Sequence, residues 1–185
     1  DINDKLIVLG SDSAKVKIKV FSSFTCPHCA SFHKNIFEEL KKDYIDQKLV
    51  KFEHHSFPLD LAALNAELIV RCHADSQKKF QLLGEIYKKQ NKWAVGSDIN
   101  IINESIKKIG INFGLNNAQM NKCLLDKKLE VLYNTRDQYY QHTHNIIKSK
   151  KHECSLQLAT KYFKMDRYPK LERVYKKLFK TDPKQ

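Results

Sequence analysis

The sequence predicts an α/β domain interrupted by a block of helices. Two strand-like runs open the chain, an amphipathic stretch separates the second from a third strand, and residues 59–139 then lose every strand signal. From residue 140 onward the pattern returns to short β-type runs and a helix. Residues 1–58 and 140–185 are therefore expected to build one domain, with residues 59–139 inserted into it.

Residues 5–9 (KLIVL) are a short apolar run, and residues 15–21 (KVKIKVF) alternate basic and apolar side chains at the period of a strand. Residues 27–44 follow as a helix, because Cys29, Phe32, Ile36, Phe37 and Leu40 recur at helical spacing. Residues 49–57 (LVKFEHHSF) give a third strand, stopped by Pro58. A strand, a helix and a strand joined by a crossover of this length read as a right-handed βαβ unit with parallel strands. The insertion holds helical patterns at residues 61–72, at 76–90 with Ser76 as cap, and at 98–109. A turn at Gly114 leads to a helix capped by Asn116 or Asn117, and residues 128–141 close the block. Residues 145–148 and 150–153 suit two short strands. Pro169 suits the first position of a last helix, whose Leu171, Val174, Tyr175 and Leu178 share one face.

Hydrophobic residues make up 42% of the 185 and charged residues 29%, the balance of a chain able to bury a core. No apolar run approaches the ~18–20 residues of a membrane span. No basic-then-apolar signal segment opens the chain, and its start at Asp1 reads as a mature or trimmed form. The formal charge is +12, from 33 basic and 21 acidic residues. Residues 148–185 carry 12 basic and 4 acidic residues, hence +8 of that total. These charges are interleaved with core-type residues, and no helix-turn-helix, finger or RNP-type pattern accompanies them. They read as a solvated lysine-rich face rather than a nucleic-acid surface. Five cysteines, Cys26, Cys29, Cys72, Cys123 and Cys154, leave one unpaired if two bridges form, and two bridges imply an oxidising compartment.

The chemistry concentrates in residues 22–33, SSFTCPHCASFH. Pro27 at the first helical position makes Cys26 the N-cap. Its sulfur is then expected to accept hydrogen bonds from the backbone N–H groups of His28 and Cys29 at the positive end of the helix dipole. Both effects, with His28 as a nearby donor, favour a thiolate at Cys26. Stabilising the thiolate stabilises the reduced pair, so the Cys26–Cys29 disulfide should be readily passed on. Cys29, one turn further in and on the apolar face, should be shielded. A zinc site needs two more ligands at fitting spacing. His152 and Cys154, or His54 and His55, are the candidates, but no second CxxC exists, and a redox pair is the stronger reading.

This segment resembles the corresponding stretch of the DsbA-like thiol–disulfide oxidoreductases, thioredoxin-fold proteins with a helical insertion. FPLDLAALNAELIVRC (57–72), KKQNKWA (88–94) and FGLNNAQMNKCL (113–124) are similar to the insertion of an alphaproteobacterial-type subgroup, so the likeness runs over residues 7–135. In that subgroup, cysteines matching Cys72 and Cys123 form a second, structural disulfide. Such a bridge would close a loop of about 50 residues, worth ~4 kcal/mol in the chain-entropy model. The resemblance implies a periplasmic protein, secreted across the inner membrane, that oxidises cysteine-containing exported polypeptides. It implies reoxidation by a DsbB-like membrane quinone reductase or an equivalent oxidant, a monomer, no cofactor, no metal and no nucleic acid.

The family carries a cis-proline opposite its CxxC. Laid on that pattern, QHTHNIIKSKKHEC (141–154) places Thr143 where the proline should be and His142 just before it, so these two residues fall in the substrate-binding loop. A cis bond before a non-proline residue costs ~2.5–4 kcal/mol, so the His142–Thr143 bond is expected to be trans or the loop differently shaped. Two further readings stay open: a disulfide reductase or isomerase on the same scaffold, and a redox-inactive binding or metal-binding protein that lost oxidase function with the Thr143 change.

Overall fold

Three strands and seven helices make up the described part of the protein, residues 6–127 of a computed structural model. Strands β1 (Ile7–Leu9), β2 (Val16–Ser22) and β3 (Val50–Ser56) form a sheet in the order β1-β3-β2. β2 runs parallel to β3, from Val16 opposite Val50 to Ser22 opposite Ser56, and β1 runs antiparallel with Ile7 opposite His54. The parallel βαβ unit expected from the sequence is thus present. On β2 the lysines Lys17 and Lys19 are exposed while Val16, Ile18 and Val20 turn inward, as the period-two pattern requires. Gly10 lets the chain leave β1: its φ is +99°, and a Cβ there would meet the Val50 carbonyl.

The crossover differs from expectation. In place of one helix over residues 27–44 there are α1 (Pro27–Asn35), a break at Ile36 (φ −123°, ψ −38°), α2 (Phe37–Leu40) and a π-helical turn at Lys41–Ile45. The cause is packing. The buried stripe is His33, Phe37, Leu40 and Tyr44, not one through Phe32 and Ile36. The break and the wide turn keep Phe37, Leu40, Tyr44 and Ile45 inside, with the Phe37 ring edge-on to Phe52 of β3 at 5.1 Å.

The insertion is helical throughout its described part. In α3 (Leu61–Cys72), every residue from Ala63 to Cys72 is buried, so this helix lies at the centre of the block. Asp60 caps it, accepting from the Ala63 N–H at 2.8 Å. For α4 (Ser76–Lys88) the cap is Asp75 rather than the expected Ser76. Its carboxylate accepts from the Lys78 N–H at 2.7 Å, and that N–H holds its acid below the ordinary carboxylate range. A short α5 (Gln90–Trp93) follows, then α6 (Ile99–Ile111) capped by Asp98 and α7 (Asn117–Leu124) capped by Asn116. Gly110 allows α6 to approach α7: a Cβ there would sit 2.6 Å from Met120 Sδ. A disulfide joins Cys72 to Cys123, tying the last residue of α3 to α7 with a Cα separation of 5.8 Å. The helix over 128–141, the strands at 145–148 and 150–153 and the closing helix after Pro169 lie outside the described residues.

Candidate functional site

Strand β2 ends at Ser22, and the chain turns through Ser23, Phe24 and Thr25 before Pro27 opens α1. The turn is fixed from several sides. Ser22 and Ser23 are buried, the Cys26 N–H donates to the Ser23 carbonyl at 3.1 Å, and the Leu59 N–H donates to Ser23 Oγ at 3.3 Å. Gln90, at the start of α5, donates from Nε2 to the carbonyls of Phe24 (2.7 Å) and Cys26 (2.9 Å). One amide of the helical insertion therefore holds both ends of the segment that presents the first cysteine.

Cys26 is the N-cap of α1, with φ −75° and ψ 119°, and Pro27 occupies the first helical position as expected. The expected capping by its sulfur is absent: the Cys26 side chain makes no cap hydrogen bond to the His28 or Cys29 N–H. Its nearness is felt instead at Cys29, whose thiol it helps to push up. Cys26 and Cys29 are both half-buried and unbridged, and His28 is exposed on the first turn. Burial pushes the Cys29 thiol up. Hydrogen bonds from the Ser22 side chain and the Ser23 backbone pull it partly back, and the Cys26 contact adds to the rise.

Behind the cysteines lies a buried polar layer that sequence reasoning missed. Ser22 Oγ and the Tyr87 hydroxyl are 2.6 Å apart, and the burial of Tyr87 pushes its phenol well above the ordinary value, so it stays neutral. The His33 ring stacks on Tyr87 at 4.2 Å with 11° between the planes. Burial, with the nearby His54 ring adding to it, lowers His33 to about 3, and its Nε2 has no hydrogen-bond partner. Glu67 accepts from His54 Nε2 at 3.0 Å and from Arg71 Nε at 2.7 Å. Burial alone would raise its acid, but His54 and Arg71 outweigh burial and hold it at about 2. A carboxylate only accepts, so His54 Nε2 carries the proton and Nδ1 is left as a buried atom with no partner. Two signals were present in the sequence: the spacing of His33, Phe37 and Leu40, and the i,i+4 pair Glu67–Arg71.

His54 and His55, considered as zinc ligands, are engaged with Glu67 and Glu53. Among the described residues no group of three or more His, Cys, Asp or Glu is placed to hold a metal ion, and no helix is long and apolar enough to cross a membrane. His142, Thr143 and Cys154 lie outside the described residues.

A parallel strand that runs into a CxxC at a helix start, with a block of helices inserted after the next strand, is the arrangement of the DsbA-like class of the thioredoxin fold. The comparisons agree. A family model described as thioredoxin matches residues 3–148, and the chain belongs to that family. It is 34% identical over 128 residues to the "Putative protein-disulfide oxidoreductase" of Rickettsia bellii, covering 69% of this chain and 48% of that one. It is 38% identical over 74 residues to "Disulfide bond formation protein D" of Bacillus subtilis, covering 37% and 33%. Alpha-DsbA1 of Wolbachia pipientis has the same fold, with a TM-score of 0.67 at 24% identity over 75% of this chain and 69% of that one. DsbA of Chlamydia trachomatis follows with a TM-score of 0.60 at 15% identity over 82% and 78%. The chain spans about half the length of the Rickettsia relatives it matches.

Proposed function

We propose that this protein is a thiol–disulfide oxidoreductase that donates the Cys26–Cys29 disulfide to cysteine-containing exported polypeptides. The observation that carries this reading is the placement of the CxxC pair: Cys26 is the N-cap of α1 directly before Pro27, and Cys29 lies half-buried one turn further in, at the turn that follows a parallel strand. Burial favours the protonated form of Cys29, so that thiol is held back as a nucleophile. Cys26 is then the sulfur attacked by substrate and Cys29 the one that leaves or resolves, with His28 an exposed donor beside them. His142 and Thr143 are proposed to meet extended substrate backbone. A periplasmic setting and a DsbB-like membrane oxidant fit a pair that must be returned to its oxidised state after each transfer.

The test is to equilibrate the Cys26–Cys29 pair with glutathione buffers and to add the oxidised protein to a reduced, unfolded protein. Complete reduction by mildly reducing buffer, together with stoichiometric oxidation of the added protein, is the expected result. A pair that glutathione leaves oxidised would instead assign the protein to the reductases.

A further inference from the structure

Cys26 closes a four-residue turn. Its N–H donates to the Ser23 carbonyl at 3.1 Å, so the central peptide of the turn joins Phe24 to Thr25. That peptide is the loosest part of such a turn, because turning it over exchanges one turn type for another while both ends stay in place. The exchanged form needs a positive φ at the third position, here Thr25, a β-branched residue that resists it. Among the described residues only Lys48 and three glycines have a positive φ, so the turn is not in that form.

Gln90 grips the same central peptide. Its Nε2 donates to the Phe24 carbonyl at 2.7 Å and to the Cys26 carbonyl at 2.9 Å. The Cys26 carbonyl also accepts from the Ala30 N–H at 3.1 Å, the first bond of α1. Both partners of the amide are oxygens, so the end that faces them is the nitrogen, and its two hydrogens supply one bond each. The base from which Gln90 reaches is itself fixed: Trp93, 2% exposed, ends α5 and donates from Nε1 to the Ile86 carbonyl at 2.8 Å. The two bonds end on main-chain oxygens, which an S–S bond between Cys26 and Cys29 would not consume.

We propose that Gln90 is a positioning residue for disulfide exchange: by pinning the peptides on both sides of Cys26 it fixes the direction in which that residue offers its sulfur. This rests on the thiol–disulfide exchange reading above and adds a residue of the insertion to it. In the step concerned, a thiolate forms a bond to the Cys26 sulfur as the Cys26–Cys29 bond breaks, and the electron pair of that bond leaves on Cys29. The three sulfurs must lie close to one line, so a Cys26 that swings on a loose turn reaches the reactive arrangement less often. Gln90 touches none of the reacting atoms. It acts through the backbone of the residue that does.

The test compares Gln90→Met and Gln90→Glu with the wild-type protein in the full chain. Methionine keeps the length of the side chain and removes the donor, while glutamate keeps the shape and turns an acceptor toward two carbonyls. The readout is the rate at which dithiothreitol opens the oxidised Cys26–Cys29 pair, followed by acid quench, alkylation and mass spectrometry of the peptide that carries both cysteines. Circular dichroism and urea unfolding of each variant establish that it is folded under the assay conditions. Gln90→Met is expected to slow opening roughly three- to tenfold, the worth of one or two hydrogen bonds, and Gln90→Glu at least as much. The direction separates positioning from a merely structural role, because a loosened fold exposes the pair and speeds its reduction. A folded variant, of either kind, that opens at the wild-type rate or faster would overturn the proposal, and the two chemistries keep it testable if one of them does not fold. Failure of the donor reading shows separately, as a wild-type protein that does not oxidise a reduced polypeptide even though dithiothreitol still opens the variants more slowly.

Discussion

At the scale of single residues, Glu67 concentrates the most electrostatic consequence. It is 1% exposed and serves two partners, His54 at 0% and Arg71 at 3%. Breaking a buried pair by removing one member leaves the other as an uncompensated polar or charged group. Glu67→Ala is therefore expected to lower unfolding stability by about 3–5 kcal/mol, read from urea denaturation. Glu67→Gln keeps the shape and still offers an acceptor, so it should cost less. Equal stability of wild type and Glu67→Ala would mean that Arg71 and His54 find other partners once the carboxylate is gone.

At the scale of elements, the Cys72–Cys123 bridge decides how firmly α7 is held to α3. The cysteines are 51 residues apart in sequence, so the bridge restricts a long loop in the unfolded chain. Replacing both by Ala should lower the urea midpoint, with a loss approaching ~4 kcal/mol in the chain-entropy limit. The disulfide exchange proposed for Cys26 and Cys29 should survive wherever the variant is folded. What the sequence made legible follows from the range of the forces involved. The alternation of KVKIKVF, the Asn116 cap and the proline that opens α1 are local, and the structure keeps them all. The cap of α4 went to Asp75 instead of Ser76 because neighbouring cap-forming residues compete, and only the bend of the backbone chooses between them. The break at Ile36 was illegible. No proline or glycine marks it, and its cause is the packing of Phe37 on Phe52, fifteen residues away. The site divides the same way. CPHC is readable as a word, but Ser22, Tyr87 and Gln90 meet only after the insertion folds back on the strand-to-helix turn.

At the scale of the described residues as a whole, the buried polar layer couples the sheet to the insertion, because His33, His54, Glu67 and Arg71 sit on α1, β3 and α3. The coupling makes the fold sensitive to acid in two windows. His33 falls from 6.5 to about 3 on folding, so above its unfolded value both states are neutral and nothing is lost. As pH drops below 6.5 the unfolded chain takes up a proton that the folded one refuses, and stability declines until about pH 3. Glu67 is lowered from 4.5 to about 2, so the stability it contributes is complete above 4.5 and is lost as pH falls toward 2. Both act in one direction, and His33 acts first. His33→Phe preserves a ring against Tyr87 and deletes a buried nitrogen that has no partner. The wild-type protein should therefore lose stability relative to His33→Phe between neutral pH and about pH 5, by on the order of 1–2 kcal/mol, as measured by urea unfolding at matched pH values. A difference between the two proteins that does not change with pH would show that His33 takes up its proton equally in the folded and unfolded chains. The burial that sets its direction would then be relieved by water reaching Nε2.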